Sequence, residues 1–99
     1  MNVIINSVHF KADKKLEAFI TEKVNKLNTY FDGVINAEVK LKLDNNDSRQ
    51  NKIVEMRLGV RGNDLYAIKE AKTFEEAADS AVEALRKQLV RYKSKLRQE

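Results

Sequence analysis

Ile35-Asn36-Ala37-Glu38-Val39-Lys40-Leu41-Lys42-Leu43 alternates apolar and polar residues without a break. Successive side chains of a strand point to opposite faces, so this stretch reads as a strand buried on one face and wet on the other. It commits the chain to a sheet covered on one side only. Downstream, the polar run Asp44-Asn45-Asn46-Asp47-Ser48-Arg49-Gln50-Asn51 is a loop. Val54, Met56, Leu58 and Val60 then alternate with Glu55, Arg57 and Gly59 as a third strand. Gly62-Asn63 fits a tight hairpin turn, because both residues accept positive φ. The fourth strand, residues 65–71, has two readings: either Leu65, Ala67 and Ala71 point inward, or Tyr66 and Ile68 do, and the first is favoured. Upstream, residues 2–8 form a short strand with Val3 and Ile5 on one face.

The cover comes from two amphipathic helices. Asp13 reads as the N-cap or a first-turn residue of a helix, and Leu16, Ile20, Val24, Leu27 and Phe31 follow at helical spacing, with Phe19 and Tyr30 widening the stripe. Gly33 is the expected stop. The second helix covers residues 74–96, with Phe74, Ala78, Ala81, Val82, Leu85, Leu89, Tyr92 and Leu96 on its buried stripe and Val90 opposite. The order β-α-β-β-β-α predicts an α+β two-layer sandwich, a four-stranded sheet with two helices on one face. The first strand reaches the second through a helix, which makes those two parallel with a right-handed crossover.

Within 99 residues this is one domain, residues 1–99. An apolar fraction of 42% is that of a folded protein. There is no cysteine, a single histidine and three glycines, which leaves no disulfide framework, no His/Cys metal cluster and no glycine-rich phosphate loop. No apolar run approaches the ~20 residues that span a bilayer, and the N-terminus lacks a signal-peptide pattern, so a cytoplasmic location is expected. His9 follows the first strand in a loop without an evident orienting partner, and Asp44 and Asp47 do not match the spacing of a calcium loop. We therefore expect no enzyme, no cofactor and no small-molecule substrate.

The charge, +4 overall, is distributed unevenly. In the last helix the acids Glu75, Glu76, Asp79 and Glu83 come first; Arg86, Lys87, Arg91, Lys93, Lys95 and Arg97 follow with no acid among them. The helix dipole favours that order, but its influence fades within a turn and does not call for so many cations. The excess suits a phosphate-facing surface. At about 100° per residue, Arg86, Lys93 and Arg97 fall on one flank of the stripe, and Lys87, Arg91 and Lys95 on the other. On the first helix Lys23, Lys26 and Tyr30 share a flank with Phe19. Helices lying side by side would let these flanks border a shared groove, with Lys23 and Lys26 across from Lys87, Arg91 and Lys95. The plainer alternatives are a solvated face, with Tyr30 and Tyr92 as packing residues, or a protein-interaction module whose basic helix binds an acidic partner.

Several segments resemble, in order and separation, the ribosome hibernation-promoting factors and ribosome-associated inhibitors of bacteria. Lys26-Leu27-Asn28-Thr29-Tyr30-Phe31-Asp32 is similar to their K-L-x-x-Y-F-D. Asp79, Leu85, Lys87-Gln88-Leu89, Arg91, Lys93, Lys95 and Leu96 follow their D…L-x-[KR]-Q-L-x-[KR]-x-K-x-K-L. The resemblance implies a fold like a double-stranded RNA-binding domain. It implies binding to the small ribosomal subunit, in the channel for messenger and transfer RNA, through ribosomal RNA and basic helix residues. It also implies silenced translation and protected idle ribosomes in stationary phase or stress. One departure is Glu75, where the family often carries tyrosine, within Thr73-Phe74-Glu75-Glu76-Ala77-Ala78-Asp79. The resemblance covers the ribosome-binding domain of the family, and no C-terminal ribosome-dimerisation domain of the long forms is expected. The chain is expected to act as a short form, which in the family pairs ribosomes only with a separate factor.

Overall fold

The computed structural model describes residues 1–30, 33–44 and 51–97, except for the side chains of Leu96 and Arg97. In chain order the elements are β1 (Asn2–Ser7), α1 (Lys14–Asn25), a 3-10 turn (Lys26–Thr29), β2 (Val34–Leu43), β3 (Lys52–Val60), β4 (Asn63–Ala71) and α2 (Phe74–Arg97). The strands form one sheet in the order β1-β2-β3-β4, with β1 parallel to β2 and the other pairs antiparallel. The expected α+β order is the observed one.

Alternation places Ala37, Val39 and Leu41 of β2 beside Leu58, Met56 and Val54 of β3, all buried. Of the two readings of β4, the structure has the favoured one: Leu65, Ala67 and Ala71 are buried, while Tyr66 and Ile68 stand exposed. These residues share one core with Ile20, Val24, Leu27, Ala77, Ala78, Ala81, Leu85 and Leu89 from the helical layer. Alternation fails at the ends of β2. The register shifts between Val34 and Asn36, so Val34 turns inward and Ile35 is left 59% exposed. Leu43, at the other end, is also exposed.

Asp13 caps α1 as expected, its Oδ1 accepting the Leu16 N–H at 2.7 Å. The α-helix does not run to Gly33. The Lys26 N–H reaches the carbonyls of both Glu22 and Val24, and the chain tightens into a 3-10 turn. The Thr29 hydroxyl donates to the Lys26 carbonyl at 2.7 Å, and the tighter winding still keeps Leu27 fully buried. Phe31, predicted on the stripe, lies outside the described residues. The hairpin turn is also one residue earlier than expected. Val60 pairs with Asn63, so Arg61 and Gly62 form the loop and only Gly62 takes positive φ, at 78°. Asn63 belongs to β4, and its side chain accepts the Asp64 N–H at 2.9 Å. Between the end of β2 and the start of β3, the Asp44 N–H donates to the Asn51 carbonyl at 2.9 Å, while Asp47 lies outside the described residues.

The outer face of the sheet carries a charge network. Arg57 reaches Glu38 at 2.9 Å and Asp64 at 3.2 Å, on the strands to either side. Lys42 and the Tyr66 hydroxyl both hold Glu55. Those two bonds keep the Glu55 carboxyl below the usual carboxylate range, and the same contact raises the Tyr66 phenol. A Cβ on Gly59 would sit 2.4 Å from Asn36 Oδ1, so a larger residue there would have to displace the Asn36 amide.

Candidate nucleic-acid interface

α2 packs over β3 and β4 with α1 at its side. Its buried stripe therefore separates two cationic flanks that have different neighbours. Toward α1 the cations are engaged. Lys23 pairs with Asp79 at 3.3 Å and lies 5.4 Å from the Phe19 ring centroid. Arg86 donates to Glu83 through Nε at 3.0 Å and through a terminal nitrogen as well, while its guanidinium lies 5.9 Å from the Tyr30 ring centroid. That pairing lowers the Glu83 carboxyl and raises the Arg86 guanidinium from their ordinary values. Lys93 donates to the Tyr30 carbonyl at 3.3 Å.

Toward β4 the situation is reversed. Lys87, Arg91 and Lys95 are exposed. Among the described residues none of the three makes a hydrogen bond or ion pair. Lys87 and Arg91 border a surface depression of about 580 Å³, with Lys69 of β4 on its far side. Its acids, Asp79 and Glu83, are those already paired with Lys23 and Arg86. A smaller depression of about 240 Å³ continues along the flank past Arg91 and Tyr92 to Lys95. What this surface can do chemically is hold an extended polyanion against uncommitted ammonium and guanidinium groups.

The predicted residues therefore separate into two groups. Lys23, Arg86 and Lys93 meet at the α1–α2 junction. Lys87, Arg91 and Lys95 lie on the opposite flank, so Lys23 and Lys26 are not their neighbours across a groove. α2 itself stands between, because flanks on either side of a buried stripe cannot face the same helix. Lys26 is exposed in the 3-10 turn. Tyr92 donates its hydroxyl to the Arg61 carbonyl at 2.6 Å and fastens α2 to the β3–β4 turn. Tyr30 is 42% exposed. His9 is exposed with φ 65°, and no described residue hydrogen-bonds its ring.

Two residues escaped the sequence reading. Lys69 sits between Ala67 and Ala71 on the helix-facing side of β4, a place the period of two assigns to it. Gln88 bonds the backbone of Tyr66 at 2.8 and 3.3 Å, and its one sequence signal is its place in the Lys87-Gln88-Leu89 motif.

Fold and surface together define a small basic α+β binding domain. The chain belongs to the family described as Sigma 54 modulation protein / S30EA ribosomal protein, whose model matches residues 3–97; the family is ribosome-binding and non-enzymatic. It is 30% identical over 98 residues to the ribosome hibernation promoting factor of Salmonella typhimurium, covering 99% of each chain. It is also 30% identical over 98 residues to that of Escherichia coli K12, covering 99% of this chain and 97% of the other. A ribosomal subunit interface protein from Coxiella burnetii shares the fold, with a TM-score of 0.85 at 18% identity over 95% of this chain and 99% of that one. The N-terminal domain of Thermus thermophilus Protein Y superposes with a TM-score of 0.81 at 22% identity, over 93% and 99%.

Proposed function

We propose that this chain is a ribosome hibernation factor that binds the small ribosomal subunit in the messenger and transfer RNA channel. It does so through ribosomal RNA, inhibits translation there and preserves idle ribosomes in the cytoplasm during stationary phase or stress. The carrying observation is the β4-side flank of α2: Lys87, Arg91 and Lys95, which make no hydrogen bond or ion pair among the described residues, on a domain of a ribosome-binding family. Successive residues on this flank are four apart, a rise of about 6 Å along the helix, so the cations form a row and not a point. Phosphate contacts position such a protein on RNA, while shape decides where it docks. Occupation of the channel by a folded domain excludes message and tRNA without any chemical step. A separate factor is proposed to supply any pairing of ribosomes.

Co-sedimentation with purified small subunits across a potassium series tests this reading. Binding should fall steeply with salt, since each neutralised phosphate adds roughly 0.7 to 0.9 to the log–log slope in simple nucleic acids. Binding that is flat with salt would reject the electrostatic account. A sucrose-gradient profile of stationary-phase ribosomes, with and without the protein, tests the cellular role.

A further inference from the structure

β4 is an edge strand, and in an antiparallel pair alternate residues turn both backbone groups away from the neighbouring strand. Tyr66 is such a residue. The partner for its outward groups is the side chain of Gln88. Gln88 Nε2 donates to the Tyr66 carbonyl at 2.8 Å, and Gln88 Oε1 accepts the Tyr66 N–H at 3.3 Å. A primary amide offers a donor and an acceptor side by side, as a fifth strand would; glutamate lacks the donor, and methionine has no donor and only a weak sulfur acceptor.

The clasp falls where apolar anchoring of α2 is thinning. Leu85 and Leu89 are fully buried, whereas Tyr92 is only half-buried and is tied to Arg61 through its hydroxyl. Gln88 also lines both depressions along the open cationic flank, next to Arg91 in each. We propose that Gln88 is a positioning residue: by gripping the β4 edge it fixes the roll of α2, so that Lys87, Arg91 and Lys95 are presented together to one polyanionic strand. This rests on the reading that those three side chains meet phosphates.

Gln88→Met keeps length and helix propensity and removes both bonds. Three measurements on the full chain decide the matter: hydrogen exchange at the Tyr66 amide, the urea midpoint, and small-subunit binding as a function of potassium. The expected result is faster exchange at Tyr66, a midpoint close to the parent, binding weaker by about three- to tenfold as for one lost hydrogen-bonded contact, and a shallower salt slope because fewer cations engage at once. Unchanged Tyr66 exchange overturns the proposal, since no clasp then exists. Faster exchange with unaltered binding, or a midpoint far below the parent, makes Gln88 a fold residue only and also overturns it. Weaker binding with an unchanged slope means the amide touches RNA directly, a third way for positioning to fail. The underlying reading is judged separately, by Lys87→Gln, Arg91→Gln and Lys95→Gln together: if that triple variant binds like the parent, the phosphate assignment falls whatever Gln88 does.

Discussion

Arg86 and Lys87 are adjacent in sequence and carry the same charge, yet they occupy opposite situations. Arg86 is tied to Glu83 and lies against Tyr30, as part of a junction that also includes Lys23, Asp79 and Lys93. Lys87 faces solvent at the head of a row continued by Arg91 and Lys95. One flank uses its charge to hold the helical layer together, and the other leaves its charge available. A count of basic residues does not distinguish them; their neighbours do.

The comparison depends first on the roll of α2, and the largest effect tests that. Leu85→Ala should cost about 2 to 5 kcal/mol, from lost burial and the cavity left behind, because the side chain is fully buried. Val90, 46% exposed on the far side, should tolerate alanine with almost no change. Urea melts of the two variants check this, and equal midpoints would mean the flanks are wrongly assigned.

The second effect is on binding. Replacing Lys87, Arg91 and Lys95 together by glutamine should weaken small-subunit binding on the order of a hundredfold at low salt, each charge-assisted contact contributing about 1 kcal/mol or more. Stability should stay within about 0.5 kcal/mol of the parent. The same substitutions at Lys14, Lys15 and Lys52 remove equal charge elsewhere and should do much less. Equal losses in the two triple variants, measured by co-sedimentation, would show that net charge and not the flank is responsible.

Smaller effects come from charges already engaged. Tyr66→Phe removes one bond to Glu55 and should lower stability by about 0.5 to 1 kcal/mol at neutral pH, the value of a partly exposed bond to a carboxylate. Because Glu55 is held below its ordinary value of 4.5, its contribution is present above that pH and is lost as pH falls through the lower folded-state value. Parent and variant should therefore converge in acid melts. Arg86→Gln should behave alike but more weakly through Glu83, which is also lowered by its partner. Urea midpoints at neutral and acid pH should show a slight difference at neutrality that closes on acidification. Any loss of binding should be smaller than that of the open-flank triple variant.

The sequence made the layers legible because burial is written in spacing. A period of two in β2, β3 and β4 and a helical period in α2 state which residues leave water, and the observed core follows them. Departures occur where a backbone detail overrides spacing: the register shift that exchanges Ile35 for Val34, the early tightening of α1 at Lys26, and the turn that uses Arg61 with Gly62. The site was half legible. Two flanks could be counted on α2, but which one α1 would occupy depends on how the layers are laid across the sheet, and α2's own sequence does not contain that. Lys69 became part of the open surface only when β4 was set beside α2. Gln88 matters through a backbone group of another element, which no local pattern announces.

On the opposite side of the molecule Arg57 answers to Glu38 on β2 and Asp64 on β4 at once. This shapes how the protein can drift over generations. A row of independent cations permits lysine and arginine to interchange singly, since each needs only a charge. A guanidinium shared by carboxylates on two strands does not, because lysine's single ammonium cannot present the same fork to both. Among descendants, positions 38, 57 and 64 should thus change as a set, while 87 and 91 interchange freely between the two basic residues.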